Sequence, residues 1–536
     1  MKNKISFWQG FTVSLIILTL ILISPFATSF AKINSQILTE NIDLFRSTLL
    51  NTILYALSAS FILVLFGFFG ALLLLKVPIE SFLGKNMALL IFPVVLGNIS
   101  ISFITKLLIG DSAAFSWIIE SGFVIKLSCL IFLQIWQYGL LFVYIFWMQL
   151  QNTPKNMLDY AYANHFLGFQ IIKDIYLPMT KNLWVLLSCI GLISSLYEGS
   201  KIQYLFKSSQ GTDSELITNW MSRSYQSNLL VSAEQAQNLV FNAGDVVTIT
   251  SIFVLVIVFL FINTTFGALA GLKKYPNRNP KQVGVLPYFF NKVWAYLLLI
   301  SIILPISLCI AKINFSLNAD SISLLFPIFM TFLATIIAVT IAISFGVSSR
   351  LGWQQTLSSF NNRSVLFFIS LFILMLIPPI VILISGYKWM GVLGYNSITT
   401  IYLIWFLGHT LLALPMLGSF VLFNHFRVST NEINYLKVSS LSRIDIIKYS
   451  FLTRFKAEYL LLFIIGFSFI WNEAIFNNLF SDYIPSFVSG LKMLITGRGA
   501  DYSLAFGYLF ISLILSFFAV GLWRFILEKG IEKQKL

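Results

Sequence analysis

The stretch NTPKNMLDYAYANHFLGFQIIKDIYLP, residues 152–178, decides the architecture. It lies between two long apolar runs, one ending near Leu150 and one starting near Leu183. Thr153-Pro154 reads as a helix start, a hydroxyl N-cap with proline at the first helical position. Met157, Tyr160, Ala161 and Asn164 then share one face at helical spacing. Gly168 is expected to break the helix, and Leu177-Pro178 restricts the backbone where the next apolar run begins. A short helix of this kind, aromatic and uncharged on one face, either lies on lipid headgroups or fills a groove in a partner.

The rest of the chain supplies the setting. Its 536 residues are 58% hydrophobic and only 10% charged, with mean hydropathy +0.86. A soluble domain carries about 25% charged residues, so this is an integral membrane protein with no soluble domain of its own. Cys129, Cys189 and Cys309 lie in apolar runs, which argues against a disulfide or a cysteine-based metal site. The net charge of +14 sits in short loops, not in one patch, and does not indicate nucleic acid. The first apolar run, 11–31, follows Met-Lys-Asn-Lys without a small-x-small cleavage site and is long enough to span.

Hydropathy predicts an all-α polytopic protein of about twelve spans, by the rule of about 20 residues each. They centre near positions 21, 61, 97, 137, 192, 258, 302, 333, 374, 410, 467 and 514. With the N-terminus inside, most of the 35 basic residues fall on inner loops and tails. The inner stretch 272–292 carries five basic residues and no acid. It divides the chain into halves 1–271 and 293–536, each of about six spans. An even number of spans per half makes the repeat parallel, with both termini in the cytoplasm.

The repeat is visible in residues. Aligning Pro178 with Thr453 gives an offset of 275 (453 − 178). Ile171, Ile172 and Lys173 then meet Ile446, Ile447 and Lys448; Lys181 meets Lys456; Gly191 meets Gly466; and Glu198 meets Glu473. The inner loop at 151–183 therefore has a counterpart at 423–456, where Ser442 and Asp445 make a capping box. Matched surfaces in a tandem repeat suit a two-fold pair of partner subunits.

These residues carry a family resemblance. The loop resembles the cytoplasmic signature of permeases in binding-protein-dependent ABC importers of the type I fold: Glu-Ala-Ala, three residues, Gly, nine residues, Ile-x-Leu-Pro. Asp159, Tyr160 and Ala161 stand at Glu-Ala-Ala, His165 at the glycine, and Ile175, Leu177 and Pro178 at the closing motif. In the second half Asn434, Tyr435 and Leu436 stand at Glu-Ala-Ala, Ser440 at the glycine, and Leu452 and Thr453 at Leu-Pro. Both glycines and the second proline are replaced. The resemblance implies that segments 154–167 and 431–441 are coupling helices, docked on two copies of a separate ATPase subunit. It also implies an extracytoplasmic solute-binding protein facing the outer segments 201–245 and 482–501, and a location in the bacterial cytoplasmic membrane. The chain lacks a Gly-x-x-x-x-Gly-Lys-Ser/Thr loop, so ATP and magnesium are expected on the partners, with no cofactor and no enzymatic activity on this chain.

Glu198 and Glu473 are candidates for the transport path, favouring a cation or a hydroxylated ligand; otherwise both cap helix ends in the outer headgroup zone. His409, within a span, is a candidate ligand or proton site, or else bonds a neighbouring helix. Gly191 and Gly466 allow close helix packing. His409 with Leu414-Pro415 resembles ferric-iron, thiamine and polyamine permeases, whereas WQYG (136–139) and WNEA (471–474) resemble sugar permeases. Fusion of both halves in one chain points to iron or thiamine systems, so the expected substrate is a small cation or cationic cofactor, with a sugar as the alternative. A secondary transporter with six plus six spans is the competing class, but it needs coupling charges in its spans, and few are present. An enzyme needs a cluster of His, Asp or Glu at one membrane face, and the three histidines are scattered.

Overall fold

The computed structural model describes residues 42–198 with short interruptions, then 288–312, 325–354 and 398–422, and separate positions within 201–216, 459–471 and 510–525. The expected spans near 21, 258 and 374 lie outside the described residues, as do Asn434, Tyr435, Leu436, Ser440, Leu452, Thr453 and Glu473. Among the described residues all regular structure is helical. Four helices are long and apolar enough to cross a bilayer, and a bent pair makes a fifth.

Helix α1, Ile42–Leu73, runs 32 residues without proline and ends ahead of Pro78. The carbonyls of the turn that follows it are claimed by side chains from α4 and the loop after it. Trp147 Nε1 donates to the Leu74 carbonyl at 3.1 Å, and Gln151 Nε2 donates to those of Leu75 and Val77 at 2.8 and 3.2 Å. In a dry interior such carbonyls must be paired within the protein. A short helix α2, Phe82–Asn86, follows, with the Ser81 hydroxyl accepting from the Gly84 amide at 3.0 Å. Position 84 must be glycine, because a Cβ there would stand 2.0 Å from the Pro78 carbonyl oxygen.

Helix α3, Phe92–Ile109, lies where a span is expected near position 97, and it is sharply bent. At Gly97 the backbone turns left-handed (φ 75°), and segments Phe82–Asn98 and Ser100–Lys106 meet at 89°. Hydropathy sees the apolar run but not the turn, which glycine alone adopts without a steric penalty.

Helix α4, Phe123–Leu150, contains a π-helical turn at Ile135–Gly139. It packs on α1 through glycines: a Cβ at Gly67 would lie 2.7 Å from Phe142 Cβ, and one at Gly70 would lie 2.7 Å from Val143 Cγ2. Small residues let the backbones approach where dispersion, not water exclusion, holds helices together. The loop helices α5 (Lys155–Ala163) and α6 (Gly168–Ile171) and a second π turn, Ile172–Tyr176, lead into α7, Leu177–Leu196. Helix α7 lies on α1, where Gly191 abuts Ser60 and the Ser60 hydroxyl donates to the Ser188 carbonyl at 2.8 Å.

Helix α8, Tyr288–Lys312, packs on α3 and α1. Trp294 Nε1 donates to the Gly70 carbonyl at 3.1 Å, and the Lys76 amide donates to Asn291 Oδ1 at 3.1 Å. Pro305 lies inside α8 and cannot bond the carbonyl four residues back, that of Ser301. Trp136, in the π turn of α4, donates its Nε1 to that carbonyl at 3.0 Å. Val293, Leu297, Ile300, Leu304 and Leu308 make an exposed apolar stripe on α8 that suits lipid contact. Helices α9 (Leu325–Gln354) and α10 (Ile398–Leu422) pack on each other, and Phe332 of α9 meets Phe467 and Trp471 edge-on. The class these features define is a helical integral membrane protein.

Candidate functional site

Two groups of residues stand out, one in the loop after α4 and one buried between α1, α4 and the end of α7. In the loop, α5 is amphipathic. Leu158 and Ala161 are buried, while Met157, Asp159 and Tyr160 face outward. Tyr160 is 63% exposed and Phe169, on α6, is 75% exposed. Of the face expected from spacing, Met157, Tyr160 and Asn164 are outward, and Ala161 turns inward instead, because the buried stripe takes Leu158 with its neighbour one turn on.

The start and end of α5 differ from expectation. The Thr153 hydroxyl donates back to the Leu150 carbonyl at 2.6 Å, closing α4. The helix ends at Ala163, short of Gly168, which instead begins α6. The break is made by His165, whose φ is 55°. The Phe166 amide donates to the Ala161 carbonyl at 2.9 Å, the six-to-one bond of a Schellman cap with His165 as its left-handed residue. The accompanying apolar contact is present too: the Phe166 and Tyr160 rings meet edge to face at 6.1 Å. Leu177 and Pro178 are exposed at the first turn of α7, and Ile175 is buried beneath.

The buried group centres on Glu198. It forms an ion pair with Lys201 (Nζ to Oε2, 2.8 Å), and both side chains are 0% exposed. Glu198 Oε1 also accepts from the Lys201 amide at 3.0 Å, so the carboxylate caps the turn that carries Lys201. The Lys201 ammonium donates as well to Gln134 Oε1 of α4. Gln134 in turn donates from Nε2 to the Ser194 hydroxyl at 3.1 Å. Burial pulls the Lys201 ammonium below its ordinary value, and the attraction of Glu198 opposes this. Gln134 immediately precedes the π turn of α4, and Gln137 and Tyr138 lie within it.

Glu198 therefore does not stand as a bare carboxylate. The spacing Glu-x-x-Lys was visible in the sequence; the burial of both charges and their tie to Gln134 were not. His409 is buried in α10, where its Nδ1 lies 2.8 Å from the Trp405 carbonyl one turn back and its ring meets the Trp405 ring at 4.5 Å. That contact lies within its own helix. Gly466 is buried and helical. Among the described residues, no group of three or more His, Cys, Asp or Glu is placed to hold a metal ion. No protein-family model matches the chain, and neither does a curated protein or a solved structure.

Proposed function

We propose that this chain is the fused, two-half permease of a binding-protein-dependent ABC importer, with ATP hydrolysed on two separate subunits. The observation that carries it is the backbone at His165. The signature puts glycine there, and the chain, though it carries histidine, adopts the left-handed conformation for which glycine is suited. The loop so closed presents an apolar, aromatic surface of Met157, Tyr160 and Phe169. A surface of this kind, on the face that charge asymmetry assigns to the cytoplasm, suits a groove in an ATPase subunit.

The repeat has support of its own. At the sequence offset, α1 corresponds to α9 and α4 to α10, and the starts of α4 at Phe123 and α10 at Ile398 agree with it. α4 packs on α1, and α10 packs on α9. Phe332 meets Phe467 and Trp471 in the second half, in the equivalent of the contact between α1 and α7.

A specific observation favours the sugar-type alternative over an iron, thiamine or other cationic substrate. The cationic expectation rested on the fused halves and the His409 motif, whereas the Glu198 carboxylate suited a cation or a hydroxylated ligand; with Lys201 paired to it, Glu198 offers a cation no free charge.

Affinity purification of the tagged chain in mild detergent tests the importer. Two copies of a nucleotide-binding subunit per chain are expected. A chain that purifies alone, with uptake that follows the proton gradient and ignores ATP, would replace the importer with a secondary transporter.

A further inference from the structure

Helix α4 begins at Phe123 without a side-chain cap. The Gly122 carbonyl accepts from the Ile125 and Lys126 amides at 3.2 and 3.4 Å. The amides of Phe123 and Val124 come before these and have no acceptor within the helix. There is room in front of them, since a Cβ on Gly122 would meet nothing within 4 Å. A helix end of this kind attracts an anion, and its dipole disfavours a cation in the first turns. Yet Lys126 stands there, 9% exposed, and no described residue pairs with its ammonium. Gly122 and Lys126 are four apart and so share one face, and a helical side chain leans over the turn N-terminal to it. The Lys126 side chain therefore leads towards the open end of the helix. Its place on α4 also gives a direction. Val124, Ser128 and Phe132 make the exposed face of the helix, and Lys126, Leu130 and Gln134 the buried one. Lys126 is thus two turns, about 12 Å, from Gln134 on the inward face. Gln134 in turn bonds Ser194 and Lys201. Because α4 runs to the inner loop at 151–183, its Phe123 end is the outer one.

We propose that the Gly122 end of α4 and Lys126 form an outer entry site for a carboxylate or phosphate group on the transported solute. This rests on the transport function proposed above and names a chemical feature of its substrate. The ammonium and the helix N-terminus attract the same sign of charge. A carboxylate or phosphate brings several acceptor oxygens, enough to take hydrogen bonds from the ammonium and from the free amides together. A cation is repelled by both. Glu120, two residues before Gly122, is the nearest acid in the sequence, so the test separates it from an external anion.

The test uses the full chain in nanodiscs of zwitterionic lipid, with Gly122→Cys. The backbone at Gly122 (φ −67°, ψ 170°) accepts any residue, and the thiol has open space. Two methanethiosulfonate reagents are compared, anionic sulfonatoethyl and cationic trimethylammonium-ethyl. The unsubstituted chain is the blank for its own cysteines, and rates are normalised to a free thiol. The anionic reagent is expected to react about tenfold faster than the cationic one. Adding Lys126→Gln should bring the ratio close to one, and Lys126→Arg should keep it. Sodium gluconate and inorganic phosphate should slow the anionic reagent, and glucose should not. No modification by either reagent, or a ratio near one with Lys126 present, overturns the site. Equal slowing by glucose and gluconate overturns the ligand class. Protection that appears only after Glu120→Gln shows that the chain fills the site with its own carboxylate, which overturns the proposal. So does slowing by phosphatidylglycerol in the nanodisc with none by gluconate or phosphate, which assigns the site to lipid. Failure of the importer is read separately: a preparation without ATPase subunits removes that function and leaves the labelling pattern unchanged.

Discussion

Replacing His165 with glycine should tighten the loop that precedes α7. An L-residue in the left-handed region carries a penalty of roughly 1–2 kcal/mol, which glycine does not. Glycine gives back roughly 0.5–1 kcal/mol through the greater freedom of the unfolded chain. A net gain of about 0.5–1 kcal/mol remains, since His165 is exposed and packs against little that would be lost. Valine is the opposite perturbation, because a β-branched residue is a true outlier at φ 55°. The assay is hydrogen exchange of the α5 amides, read by mass spectrometry on the detergent-solubilised chain. His165→Gly should slow exchange of the Tyr160–Phe166 segment about two- to fivefold, and His165→Val should speed it about tenfold, at 1.4 kcal/mol per decade. The caps at Gly84 and the exchange of α1 serve as internal references. If glycine and valine both speed exchange equally, the left-handed turn at position 165 is wrong, and the strongest support for the loop signature goes with it.

Lys201→Met should destabilise the chain by about 3–5 kcal/mol, because Glu198 is left buried without its partner. The double substitution Glu198→Gln with Lys201→Met should recover most of that loss in a thermal-shift measurement; no recovery would show that the two charges are not paired. Gly67→Ala should cost about 1–3 kcal/mol, since its Cβ would press on Phe142 at 2.7 Å, whereas Gly521→Ala, with nothing within 4 Å, should be close to neutral. Equal melting temperatures for these two would refute the close packing of α1 on α4. If the proposed ATPase partner docks on α5, Tyr160→Lys should weaken its co-purification while the chain still elutes as a single folded species. The ring contact with Phe166 that is lost costs the fold about 0.5–1.5 kcal/mol. Undiminished co-purification would remove α5 from the docking surface.

The apolar runs and the polar loop between α4 and α7 were readable from the chain alone, because they are properties of consecutive residues: a run of apolar side chains commits to a helix in lipid. The position at which the loop turns was not read correctly, since Gly168 was the expected breaker and the left-handed residue is His165. The partner of Glu198 was half legible, since Glu198 and Lys201 lie three apart. Their third member, Gln134, is on α4, and Trp136 finds the carbonyl freed by Pro305 on α8. No local pattern announces such pairs. They form because a bilayer offers buried polar groups no solvent, so each is matched by whichever side chain the packing brings near. The right-angle bend at Gly97 and the inward turn of Ala161 were likewise decided by packing, which selects among conformations that the sequence equally permits.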